Sequence, residues 1–283
     1  MSGPRSARKK PSAAKAAPKP RRSAATRANS KSATRFRRAP SKRKPPTTPP
    51  RPRKSRAAHA DISPVEKLRA LRLLAALRAE YPDAHCELVF SNPHELLVAT
   101  ILSAQATDVS VNKVTPALFA RFPTPAAYAA ASPEAIEPYI KSIGLFRNKA
   151  RAIHESMTAM RDRFAGQVPR AMQELLTLRG VARKTANVVL GNCFNINDGV
   201  VVDTHVQRLA RRFALAPADA GVAQIEQRLM QLFPRESWCL LSHLLIFHGR
   251  RACKARGVRC DSHPICREFG VACECRQQGP LSR

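Results

Sequence analysis

No acidic residue occurs in the first sixty positions of this 283-residue chain, which hold 20 of its 49 Lys and Arg. One aromatic residue, Phe36, falls in the same stretch. Such a composition cannot bury enough apolar surface to offset the entropy of ordering. Residues 1–61 are therefore expected to be a disordered basic tail, and a tail of this kind scans a DNA backbone by counterion release. An organelle-targeting peptide is the rival reading, being Arg- and Ser-rich and free of acid. Ten prolines disfavour the amphipathic helix that such peptides use. An apolar signal-peptide core is also missing, which argues against secretion. No apolar run approaches the roughly 20 residues of a membrane span, so no membrane partner is expected. Runs of alternating strand residues and repeats of fixed period are absent as well. What remains is an all-α chain with short connections.

Positive charge is abundant. Formal net charge is +29, and beyond residue 60 the other 29 Lys and Arg still outnumber the 20 acids. The folded part is basic in its own right, and nucleic acid is the commonest polyanion to suit it. Five of the eight cysteines crowd between Cys253 and Cys275. Clustering of this kind, without a secretion signal, favours metal binding over disulfides.

Helix starts are written repeatedly. Ser63, Pro64 and Glu66 form a capping box with a proline at the first helical position. Val65, Leu68, Leu71, Leu74 and Leu77 follow at three-residue spacing. Asn92, Pro93 and Glu95 repeat the device, and Thr124–Pro125 and Ser132–Pro133 open two more helices. Further helices are expected over residues 149–163, 172–178, 185–193, 203–213, 222–233 and 238–250. His154, His243 and His248 read as satisfied core or groove histidines, and Trp238 as packing.

The stretch LRGVARKTANVVL, Leu178 to Leu190, joins two helices through Gly180. The second helix presents an unpaired N-terminus that favours an anion, and Lys184 stands at its mouth. An ordinary helical hairpin with a surface lysine would read the same way. Three further stretches, ILSAQATDVSVNK from Ile101, YIKSIGLFRNKA from Tyr139 and VVDTHVQRLARR from Val201, flank it in order. With the terminal cysteines, these resemble endonuclease III, a bifunctional DNA glycosylase and AP lyase of the helix–hairpin–helix superfamily. The resemblance runs from about residue 64 to 275.

The resemblance implies a two-lobed helical fold with a C-terminal iron–sulfur cluster loop. Residues 86–196 would form one domain, ending in the hairpin. Residues 62–85 and 197–275 would form the cluster domain, and 276–283 a tail. It makes Lys184 the nucleophile and Asp203 its acidic partner, although Asp203 also reads as a plain helix N-cap. Gly180, Val181, Ala182 and Arg183 would hold DNA phosphate. Gln105 and Leu145 would fill the gap left by an extruded nucleotide, where bland readings are a capping amide and a core leucine. Base excision of oxidised pyrimidines from duplex DNA, then β-elimination at the abasic site, is the implied activity. The protein would act as a monomer, in the cytoplasm and on the nucleoid if bacterial. An adenine-mismatch glycosylase and a non-catalytic damage-binding protein are the rivals.

Two departures from the family pattern stand out. Arg179 and Ala182 replace a proline and a glycine in the hairpin, and the Ala182 side chain is expected to narrow the backbone's approach to phosphate. The cysteine spacing is also shifted, so that Cys253, Cys260, Cys266 and Cys273 become the set for a [4Fe-4S] cluster. Cys275 is an alternative fourth ligand. Zinc could use the same residues with His263. The basic loop between, residues 254–259, would face DNA.

Overall fold

The computed structural model describes residues 62–256 and 262–273. The basic tail, residues 257–261 with Cys260, and residues 274–283 with Cys275 lie outside them. Among the described residues the chain is helical without strands, in twelve α-helices. These are α1 Pro64–Glu80, α2 Pro93–Ser103, α3 Asp108–Arg121, α4 Pro125–Ala130, α5 Pro133–Ile140, α6 Phe146–Arg163, α7 Met172–Leu175, α8 Arg183–Phe194, α9 Thr204–Arg212, α10 Val222–Leu232, α11 Trp238–Arg251 and α12 Pro264–Phe269.

The caps explain the starts. Glu66 N donates to Ser63 Oγ at 3.2 Å, and Ser63 N donates back to Glu66 at 2.9 Å. Asn92 and Thr124 accept from the third amide of their helices in the same way. Ser132 makes no such bond, and α5 starts on Pro133 alone. Two helices were not expected. Pro116 sits inside α3, where a proline reads as a breaker, and α12 is only six residues long. Helix α7 stops at Leu175, three residues before the expected end.

Helix α1 corrects the apolar stripe. Leu74 and Leu77 are buried together with Ala70 and Leu73, whereas Val65, Leu68 and Leu71 are exposed. A strict three-residue step rotates away from a 3.6-residue period, so the first three members drift to the surface.

Two hydrophobic cores make the fold two-lobed. One is built from residues between Leu88 and Leu190, on α2 to α8. The other joins Ala70 to Tyr81, from α1, with residues between Val200 and Cys273 on α9 to α12. Helices α8 and α11 pack on each other and bring the lobes together. Trp238 is buried in the second core and its indole N–H donates to Phe233 O at 3.0 Å, a packing role.

Candidate active site

Helix α6 sets the geometry of three turns from one face. Leu145 caps its N-terminus, and Lys149, Ala152 and Ser156 follow at steps of four, three and four residues, the spacing of one helical stripe. Lys149 is 6% exposed and donates to Leu102 O at 2.9 Å and Ala104 O at 2.6 Å, closing the end of α2. Burial pulls its pKa down. Ala152 Cβ lies against the hairpin glycine, where a Cβ built on Gly180 would come within 3.1 Å. Ser156 Oγ donates to Arg179 O at 2.7 Å.

Each of those turns has a residue in the left-handed region: Gln105 at φ 58, Leu145 at φ 60 and Gly180 at φ 79. Non-glycine residues rarely adopt this conformation, and it clusters at functional sites. Gln105 and Leu145 are both exposed, Leu145 at 59%. Leu145 is thus not a core leucine.

The hairpin departures have definite positions. Ala182 is the N-cap of α8 with φ −97 and ψ 170. Extended backbone suits any residue, so no positive φ is demanded and the alanine is unstrained. The first helical bond is Ala186 N to Ala182 O at 2.9 Å, which leaves the preceding amides at the helix mouth open to an anion. Val181 packs in the first core, and its amide donates to Leu178 O at 3.2 Å. Arg183 turns away. Its guanidinium meets Glu226 at 2.9 Å and the Asp198 carbonyl at 3.0 Å. Arg179 pairs with Glu155 at 2.5 Å.

Lys184 is exposed in the first turn of α8. Asp203 caps α9, accepting from Val206 N at 2.8 Å. The run before it is fixed by Val201 N donating to Ser242 Oγ at 3.0 Å. Lys184 and Asp203 line one cleft with Thr100, Ser103 and Asp108 on one side and Ser242, Ile246 and Arg250 of α11 on the other. Each lobe contributes one member of the expected pair. Asp108 was not singled out from sequence. Burial raises its pKa, while Lys184 opposes the shift and Asp203 adds to it. Arg250 binds Asp108 at 2.8 Å and also pairs with Glu87.

The sequence pattern of the HhH-GPD superfamily of base excision DNA repair proteins matches residues 98–235. Endonuclease III of Synechocystis is 49% identical over 210 residues, covering 74% of this chain and 93% of the relative. Endonuclease III of Escherichia coli is 43% identical over 198 residues, covering 70% and 93%. The chain belongs to the endonuclease III family. A solved non-covalent endonuclease III–DNA complex superposes with TM-score 0.71 at 43% identity, covering 75% of this chain and 98% of that one. A thermostable thymine-DNA glycosylase, at TM-score 0.66 and 20% identity, shares the fold. As a member of that family, the protein is a base excision repair enzyme of the DNA glycosylase and AP-lyase class. No described helix is long and apolar enough to cross a membrane.

A Cys/His group lies in the second lobe, apart from this cleft. Cys253, Cys266 and Cys273 are each 1% exposed in that core. Ligand atoms of Cys253, Cys266 and His248 lie within 4.8 Å of one another. The Cys253 thiol is pulled down to about 6 by its hydrogen bond with Cys266 and by Arg212, whose Nη1 donates to its Sγ at 3.1 Å. A thiolate held at neutral pH beside buried thiols fits a thiophilic metal centre. His248 does more than fill the core. Its Nδ1 meets the Tyr81 hydroxyl at 2.9 Å and its Nε2 meets Cys266 Sγ at 3.2 Å. Burial lowers its pKa to about 3, keeping the ring neutral. His263 instead directs Nε2 toward Glu80 at 3.4 Å. His154 is satisfied by Tyr128 O at 3.2 Å and His243 by Asn192 Oδ1 at 2.8 Å.

Proposed function

We propose that the enzyme excises oxidised pyrimidines from duplex DNA through a Schiff base on Lys184, and then cleaves the abasic strand by β-elimination. The carrying observation is that Lys184 and Asp203 line one cleft, each at the mouth of a helix. The amides of Gly180 and Ala182, with those of the first turn of α8, hold a phosphate of the damaged strand. The target nucleotide leaves the stack, and Gln105 and Leu145 occupy the gap. Their left-handed backbone holds an amide and an apolar wedge outward, on turns that α6 keeps rigid. Lys184 Nζ, once deprotonated, attacks C1′ of the sugar. The base departs with the bonding electrons, taking a proton, and the opened sugar forms an imine with Lys184. Loss of a C2′ proton then expels the 3′ phosphate. Asp203, fixed by Val206 N, stabilises positive charge on the sugar or relays protons. Asp108 and Arg250 shape the field around the pair.

Cys253, Cys260, Cys266 and Cys273 would hold a [4Fe-4S] cluster. Such a cluster would play a structural part, joining the end of α11 to α12 rather than entering the chemistry. Residues 86–196 would act as the hairpin domain, and 62–85 with 197–275 as the cluster domain. The protein works as a monomer on damaged or abasic double-stranded DNA, in the cytoplasm and on the nucleoid if its source is bacterial, with the basic tail adding backbone contacts.

Borohydride trapping tests the chemistry. Wild type mixed with a duplex carrying one abasic site gives a covalent adduct on reduction, and Lys184→Gln gives none. A folded, DNA-binding wild type that forms no adduct overturns the reading.

A further inference from the structure

Helix α8 carries two stripes. Lys184, Val188 and Asn192 stand at steps of four and line the catalytic cleft. Arg183 and Asn187, also four apart, form the neighbouring stripe, one residue round the helix. Both are held by one carboxylate from the other lobe. Arg183 Nε donates to Glu226 Oε1 at 2.9 Å and to Oε2 at 3.1 Å, and Asn187 Nδ2 donates to Oε1 at 3.1 Å. Glu226 lies on α10, whose Ile225, Leu229 and Leu232 are set in the second core. Helix α8 is set in the first core through Ala186, Val189 and Leu190. Packing around the carboxylate is close, and its side chain is 12% exposed. Gly199, in the segment that crosses from α8 to Asp203, lies against it. A Cβ there would overlap Glu226 Oε1 and come within 2.6 Å of Asn187 Nδ2. Gly199 is outside the left-handed region, so space rather than backbone conformation demands a glycine. The crossing segment is tied to α11 on either side of it: Asn197 Oδ1 accepts from Cys239 N at 3.0 Å, and Val201 N donates to Ser242 Oγ at 3.0 Å.

We infer that Glu226 is a positioning residue for Lys184, acting through Arg183 and Asn187. One carboxylate that grips two side chains a turn apart fixes the rotation of α8 about its axis and its travel along it. Charge-assisted bonds of this kind hold a narrow geometry. Lys184 follows Arg183 directly, so the grip sets which way the lysine faces. It does so relative to the lobe that supplies Asp203. The inference rests on Lys184 as the nucleophile. The hairpin amides precede the gripped turn and keep their hold on phosphate without Glu226. Loss of the carboxylate therefore costs alignment of Lys184 with C1′ rather than affinity for DNA, and a misplacement of about 1 Å slows a reaction by roughly a hundredfold.

The test is the single-turnover rate of borohydride-trapped adduct at saturating abasic duplex, with affinity for the same duplex and melting temperature measured alongside. Glu226→Ala should bind with wild-type affinity and form adduct roughly 10- to 100-fold more slowly. Glu226→Gln keeps the length and an acceptor for Arg183, and should recover part of the rate. Gly199→Ala should slow adduct formation with every charge kept. Adding it to Glu226→Ala should cost little more, because both act through one contact. Arg228→Ala removes the pair between α10 and Glu66 and serves as the stability control: its melting temperature should fall with its adduct rate unchanged. A folded Glu226→Ala as fast as wild type at saturating duplex overturns the proposal, and so does a rate lost only through weaker binding. An equal rate loss in Arg228→Ala also overturns it, since any weakening of α10 would then suffice. If Glu226→Ala fails to fold, wild-type rates in both Glu226→Gln and Gly199→Ala overturn it. Absence of adduct from wild type is a different outcome: it removes the Lys184 reading, and this inference with it.

Discussion

The ammonium of Lys149 lies 2.6 Å from the carbonyl oxygen of Ala104, the residue immediately before Gln105. A buried cation thus closes the C-terminal end of α2, where helix carbonyls lack partners and the dipole is negative. Through it the turn that carries Gln105 is bolted to the helix that Leu145 begins. Replacing Lys149 with methionine keeps the stem and removes both bonds. We expect a loss of about 1–3 kcal/mol in stability, read by calorimetry, and weaker binding to abasic duplex than the stability loss alone produces. Unchanged affinity in the folded variant would show that Gln105 does not depend on this tie.

Asp203 has two roles that separate by substitution. Asparagine still caps a helix, so Asp203→Asn should melt close to wild type while losing most strand cleavage. Asp203→Ala should lose both, with stability down by about 1 kcal/mol. Near-normal cleavage by Asp203→Asn would reduce the residue to a cap.

Ala182 already has extended backbone at the mouth of α8. Ala182→Gly should therefore leave DNA affinity unchanged, checked by equilibrium binding across salt concentrations. Ala182→Asp should raise the melting temperature, because aspartate is a far better N-cap, and should weaken DNA binding by placing a carboxylate at the proposed phosphate position. Tighter binding by the glycine variant would mean that the methyl group does obstruct the backbone.

Arg183 separates structure from phosphate contact. Its side chain is held by Glu226 and Asp198. Arg183→Ala should lower stability modestly, as partly exposed ion pairs do, and leave the salt dependence of DNA binding unaltered. A slope shallower by about one unit would reveal a phosphate contact instead.

Acid sensitivity has an identifiable contributor in His94. Burial lowers its folded pKa below the ordinary 6.5, and its Nε2 has no hydrogen-bond partner among the described residues. The unfolded chain therefore takes up this proton first as pH falls. The stability it contributes is complete above about 6.5 and is lost progressively below, down to the folded pKa. His94→Gln should melt with a shallower pH dependence in that acid range. An identical dependence would assign the sensitivity elsewhere.

Much of this was legible in the chain itself. Ser63, Asn92 and Thr124 announce helix starts because capping is a short-range matter of one oxygen and one amide. The order of four motifs gave the family, and with it the expectation placed on Lys184 and Asp203. The unread parts depend on distance in sequence. Asp108 and Arg250 meet across 142 residues, with no local sign at either. Lys149 looked like one more helical cation, because its partners are carbonyls 45 and 47 residues away. Arg183 sat inside a phosphate-binding pattern, yet an acid on α10 claims it. Left-handed backbone at Gln105 and Leu145 could not be foreseen, because neither residue type favours it. Pro116 hid α3 by resembling a stop.

Helix α1 is made first, yet its buried face belongs to a core completed only at Cys273. The first lobe draws its core from residues 86–196, so a growing chain can finish it early. The second lobe must wait for the last hydrophobic residues and the cysteines. Asp203, which that lobe supplies, enters the cleft that Lys184 lines only then. On the proposed chemistry, an incomplete chain would carry Lys184 without Asp203 in the cleft, so the order of synthesis would delay strand cleavage until the second lobe has folded.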